Sequence, residues 1–199
     1  MNKSLSIPSK TQRILIIGNA DDSLDISDKV TTSDFVIRFN KANASCKVKA
    51  DYWFIANGAI TVIRKLHIFN DSISPEAKII WRYSLKDILN CSFEKISLSR
   101  RLRYLIYISK FKKINHMSRY TQVNFPKCLL KECTEVLQGK MPSSGFLMIY
   151  TMRKLYPNIP LYIHNFTFKG TVAHDWEIEE KIIKRLIDQK LIFTTDQFT

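Results

Sequence analysis

The sequence predicts an α/β fold, a single Rossmann-like domain over residues 1–199 with a mainly parallel sheet flanked by helices. Short apolar runs recur through the first third of the chain, and each stops at a glycine or an asparagine. Polar stretches long enough to serve as crossovers separate them, as parallel neighbours require. Near the C-terminus Ile178, Ile182, Ile183, Leu186 and Ile187 recur at helical spacing.

Taken in order, residues 13–18 (RILIIG) read as a buried strand ending at Gly18. Asn19 to Ser33 forms a polar crossover. A second strand, Phe35 to Phe39, stops at Asn40, and a third, Asp51 to Ala56, stops at Asn57. Ile60 to Phe69 reads as a short helix and Lys78 to Arg82 as another buried strand. Residues 85–125 are the least regular part and read as a basic, lid-like insertion. Pro126 opens a helix running towards Leu137. Pro142-Ser143-Ser144-Gly145 precedes an apolar helix, Phe146 to Leu155, closed by Pro157 and Pro160. Residues 161–166 (LYIHNF) form a further strand. Asp175 is an N-cap for the last helix, with Glu177, Glu179 and Glu180 in its first turn and Lys184, Arg185 and Lys190 towards its end, as the helix dipole favours.

The formal net charge of +13 implies an anionic partner: nucleic acid, an acidic membrane surface or a phosphorylated substrate. From Lys95 to Arg119 there are eight Lys or Arg and no acid. Cys46, Cys91, Cys128 and Cys133 form no CxxC pair and no zinc-like spacing, so they read as ordinary thiols of a reducing cytosol. The first apolar run is too short for a membrane span or a signal segment, so the expected location is cytoplasmic, with membrane contact peripheral.

Three positions offer chemistry. The strand ends Gly18-Asn19, Asn40 and Asn57 present amides that can read a ribose, a base edge or a phosphate, or simply end strands in turns. Ser143, Ser144 and Gly145 stand at a helix start that can seat a phosphate, or serve as a plain cap. His174, just before the last helix, can act as a general base, or be a capping histidine. His164, in or just after a strand, is a further candidate for the same cleft; His67 and His116 have weaker surroundings. There is no GxGxxG, no P-loop and no GxSxG, against dinucleotide binding, P-loop hydrolysis and serine-hydrolase chemistry. No D-x-D pair is present, and Asp21-Asp22 and Glu177 to Glu180 read as loop and helix-face charges, so neither a metal nor another cofactor is expected.

In this order the three positions resemble the sialyltransferases. RILIIGN, then SDFVIRFNKA and KADYWFIAN, is similar to the large sialylmotif of the animal-type family. PSSGFLMIYTMRKL followed by LYIHNF resembles the small motif, and His174 to Glu179 matches the very small motif, His-x-x-x-x-Glu. Bacterial lipooligosaccharide sialyltransferases share a related order. The resemblance covers roughly residues 13–57 and 142–190.

It implies a sialyltransferase-like variant of the glycosyltransferase fold. The implied activity is inverting, metal-independent transfer of sialic acid from CMP-sialic acid to a glycan hydroxyl, on a bacterial lipooligosaccharide or capsule. Gly18, Asn19 and Asn40 would bind the CMP part, and Ser143, Ser144 and Gly145 the phosphate or sugar carboxylate. His174 would be the base, with Asn57 and Glu179 as further site candidates. The chain departs from the animal-type pattern in its cysteines: Ile14 follows Arg13 where one would fall, and the small-motif region has none. The loop before His174 is compressed to about seven residues, so phosphate-binding residues from it are not assigned. A CMP-Kdo-dependent transferase is the alternative within the class. Outside it stand a non-catalytic basic nucleotide- or RNA-binding α/β domain and a degenerate transferase that binds CMP without turnover.

Residues 95–119 interleave Arg and Lys with Leu, Ile, Tyr and Phe. A basic helix touching anionic lipid, a nucleic-acid face and a solvated basic helix packed by its apolar side all fit this pattern, the last being the commonest for any one residue. A lipid-linked glycan acceptor makes the first the expected one and sets nucleic acid aside.

Overall fold

In the computed structural model the described residues are 5–20, 25–40, 46–57, 73–89, 98–170 and 174–197. They build one seven-stranded sheet in the order β5-β4-β3-β2-β1-β6-β7, and every neighbouring pair is parallel. The strands are β1 (Arg13–Ile17), β2 (Asp34–Phe39), β3 (Ala50–Ile55), β4 (Ile73–Trp81), β5 (Thr121–Asn124), β6 (Leu161–His164) and β7 (Phe193–Thr194). The described helices are α1 (Leu85–Leu89), α2 (Leu98–Ile114), α3 (Lys127–Val136), α4 (Ser144–Leu155) and α5 (Trp176–Asp188).

Strand order advances from β1 to β5 in one direction and then resumes on the other side of β1 with β6. The crevice outside the carboxyl ends of β1 and β6 is therefore a topological switch point, where open α/β sheets bind ligands. Side chains alternate across the pleat. Ile14 and Ile16 of β1 join Phe35, Ile37, Phe54 and Ile163 in the larger core, which α3, α4 and α5 cover with Leu129, Phe146, Leu147 and Ile183. Leu15 and Ile17 face the opposite layer with Val36, Cys46 and Val48. On that same side of β3 and β4, Trp53, Ile55, Ile79 and Trp81 pack against Tyr104, Ile108 and Phe111 of α2.

Arg38 of β2 is fully buried, and its Nη1 donates to the carbonyls of Cys46 and Val48, closing the crossover onto the sheet. Cys133 is buried, and burial pushes its thiol up to about 12, with Glu179 adding to the shift. Cys46, Cys128 and Cys133 are free thiols, while Cys91 lies outside the described residues. Among the described residues no helix is long and apolar enough to cross a membrane.

The main difference from the sequence reading lies in residues 85–125. Its described residues include the 17-residue helix α2 and the edge strand β5, which belong to the covering layer and to the sheet. Apolar residues on both faces of α2 blur its periodicity, and β5 (TQVN) is too exposed to show a strand's alternation. The expected helix at Ile60 to Phe69 and the acidic pair Asp21-Asp22 lie outside the described residues.

Candidate active site

The carboxyl edge of the sheet is joined by asparagines. Asn19, after β1, donates from Nδ2 to the carbonyl of Phe39 at the end of β2, 3.0 Å away. Asn40, after β2, accepts at Oδ1 from the amide of Ala56 beyond β3, at 2.9 Å. Asn57, after β3, both donates to the carbonyl of Tyr83 at 2.8 Å and accepts from its amide at 2.9 Å. Asn165, after β6, donates to the carbonyl of Ala20. Asn40 and Asn165 have φ of 41° and 59°, the left-handed region that asparagine tolerates better than most residues. The strand-ending and side-chain-bonding roles of these residues are thus one role.

A cleft of about 420 Å³ opens over the ends of β1, β2 and β6. Gly18, Asn19, Asn40, Ser143, Ser144, Gly145 and His174 all line it. Sequence reasoning missed Asn165, Phe166, Phe168, Lys169 and Trp176, which line it as well. Asn165 carried the same signal as Asn19, Asn40 and Asn57, an asparagine directly after an apolar strand. Lys169 is the cationic side chain among the described lining residues, and no carboxylate is among them. Among the described residues no group of His, Cys, Asp or Glu is arranged to hold a metal ion.

Three expected candidates, His164, Asn57 and Glu179, are not among the cleft-lining residues. His164 shares its face of β6 with Tyr162, opposite Ile163. Its Nδ1 hydrogen-bonds the Thr195 hydroxyl at 2.7 Å, which draws the ring towards the C-terminal segment and out of the cleft lining. Asn57 is buried and lines a separate cavity of about 230 Å³ with Trp81, Tyr83 and Lys112.

Three buried or half-buried side chains grip the chain just before α4. His174 Nδ1 is 2.9 Å from the carbonyl of Met141. Arg82 Nη2 donates to the carbonyl of Pro142 at 2.7 Å. Glu179 of α5, fully buried, accepts from both the amide and the hydroxyl of Ser143 at 2.6 Å. Ser143 in turn caps α4 by accepting from the amide of Phe146.

This grip divides the work within the Ser-Ser-Gly turn. Both donors of Ser143 are committed to Glu179, so Ser143 positions the helix start. The amides of Ser144 and Gly145, in the first turn of α4, have no partner within the helix. Burial raises the Glu179 carboxyl above the usual carboxylate range, opposed by the Ser143 donors and by nearby His174 and Arg82.

The hydrogen bond to Met141 fixes the tautomer of the neutral His174 ring. A carbonyl oxygen only accepts, so Nδ1 carries a proton, and in the neutral ring Nε2 is the nitrogen with the lone pair. Trp176 packs edge-on against the ring at 5.2 Å. Asp175, the N-cap of α5, accepts from the amide of Ile178 and fixes the turn that carries His174.

Gly18 is required by close approach. A Cβ there would overlap the carbonyl oxygen of Asn165 and come within 2.9 Å of its carbonyl carbon. Gly18→Ala is expected to cost about 2 kcal/mol, read as a lower urea midpoint with an unchanged slope. An unchanged midpoint would show that β6 yields without cost.

No protein-family model matches the sequence, and no curated protein is significantly similar to it. Among solved structures, a mammalian sialyltransferase superposes with a TM-score of 0.55 at 16% identity, covering 92% of this chain and 68% of that one. An α-2,3-sialyltransferase from Campylobacter jejuni, in its apo form, superposes with a TM-score of 0.53 at 17% identity, covering 98% of this chain and 79% of that one. The seven-stranded parallel sheet and its flanking helices thus have the fold of the sialyltransferases.

Proposed function

We propose that this chain is a glycosyltransferase moving sialic acid from CMP-sialic acid to a glycan hydroxyl, with inversion and without a metal. One observation carries the reading: a histidine with Nε2 free for a proton shares a cleft at the switch point with two free helix-start amides. Amides, asparagine side chains and Lys169, with no carboxylate among the described lining residues, suit a donor that carries one phosphate and one carboxylate.

In this mechanism the acceptor oxygen attacks the anomeric carbon of the sugar from the face opposite CMP. The bond from that carbon to the phosphate oxygen breaks, and its electron pair leaves with CMP. His174 Nε2 takes the proton of the attacking hydroxyl. The amides of Ser144 and Gly145, with the Ser144 hydroxyl, take the charge growing on the phosphate, while Asn19 and Asn40 hold the nucleoside part. The acceptor is a bacterial surface glycan and the site of action the cytoplasm.

A donor screen tests the reading. CMP release is expected from CMP-sialic acid, slowly without acceptor and faster with a glycan mixture, and unchanged by EDTA. Release from CMP-Kdo alone would move the donor to Kdo. CMP binding without release from either donor would leave a binding protein only, and neither binding nor release would sink the proposal.

A further inference from the structure

Among the described residues, one face of the basic helix α2 packs against no other element. Tyr104, Ile108 and Phe111 of α2 are buried against the sheet. Leu102 and Ile106, one turn apart on the opposite face, are each 54% exposed, and Ile114 at the helix end is 64% exposed. Arg103, Lys110 and Lys113 lie exposed beside them, and the helix contains no acid. The inner face is tied to the carboxyl edge of the sheet: Tyr104 Oη donates to the carbonyl of Asn57 at 2.6 Å, and Lys112 Nζ stands 5.1 Å over the Trp81 ring. The helix therefore lies at the same edge as the cleft.

We propose that the outer face of α2 docks on the surface of an anionic lipid bilayer. Aliphatic side chains on the helix axis enter the acyl boundary while flanking cations meet lipid phosphates, the division of labour of an interfacial helix. The residue types decide against nucleic acid. Base stacking needs exposed aromatic rings, and Tyr104 and Phe111 are buried while the exposed apolar residues are aliphatic. Docking would hold the catalytic edge of the sheet near the bilayer. The proposal goes beyond the donor chemistry and does not depend on it.

The test is co-sedimentation of the full chain with vesicles of phosphatidylcholine, with and without phosphatidylglycerol. Binding is expected only to the mixed vesicles and should weaken with added salt. The double variant Leu102→Gln/Ile106→Gln should bind about tenfold more weakly, and Lys110→Gln and Lys113→Gln about fivefold each. The variants should bind CMP as the parent chain does, so failure here is separable from failure of the transferase reading. No binding to mixed vesicles, equal binding to both kinds, or variants that bind like the parent would overturn the proposal. So would an oligonucleotide complex or a dimer of this chain that the Leu102→Gln/Ile106→Gln pair abolishes.

Discussion

Replacing His174 by alanine or asparagine is expected to lower kcat for transfer by about 10²–10⁴-fold, the usual worth of a positioned general base. The two variants should differ in a second respect. Asparagine can still donate to the carbonyl of Met141, which His174 Nδ1 now does, so His174→Asn should keep the KM for the donor. Alanine leaves that carbonyl without its partner and loosens the turn into α4, so KM should rise as well. Equal KM values would show that the hydrogen bond to Met141 has no part in positioning. A His174→Asn enzyme retaining more than a tenth of parental kcat would place the base elsewhere.

The largest effect on stability is expected at Glu179. Its carboxyl group is the acceptor for two buried donors of Ser143, and it lies close to Arg82. Glu179→Ala leaves both donors unpaired and should cost about 3 kcal/mol, measured by urea unfolding. Because Ser143 caps α4, the amides of Ser144 and Gly145 should shift too, raising the KM for the donor. Glu179→Gln keeps one acceptor and should cost less.

The pH dependence has a definite sign. Burial raises the Glu179 pKa, so the folded state favours the protonated carboxyl more than the unfolded chain does. Its stabilising contribution is complete below about pH 4 and fades as pH rises through the elevated folded value. The stability of the parent relative to Glu179→Gln should therefore fall as pH rises. A difference that grows with pH would mean that the Ser143 donors outweigh burial.

Much of the architecture was legible in the residues. β1, β2, β3 and β6 are largely apolar runs ended by small or polar residues, while β4 starts five residues before the expected Lys78, through the polar stretch Ser74 to Glu76. α3, α4 and α5 carry their own punctuation in Pro126, Ser143 and Asp175. What escaped has physical reasons. β7 is two residues long and exists only by pairing with β6. α2 presents Leu102 and Ile106 to solvent and Tyr104 and Ile108 to the sheet, so no single stripe marks it.

The site was legible as a set of residue types, and less so as a set of contacts. Gly18-Asn19, Asn40, Ser144-Gly145 and His174 reach one cleft because their strands and helices converge at the switch point. No local pattern could show that Ser143 spends both donors on Glu179, 36 residues away. Nor could any show that His164 would find Thr195.

The asparagine-joined edge has a consequence for the entropy of binding. Asn19, Asn40 and Asn165 each have their amide committed on one side to a neighbouring strand end, so their rotamers are chosen during folding. A ligand settling on this rim does not have to freeze them. Immobilising such a side chain on association costs about 0.5–1.5 kcal/mol, and here that ordering is complete before any ligand arrives. For any ligand bound there, the rim would act as a template already set, and selection would rest on the fit of its shape.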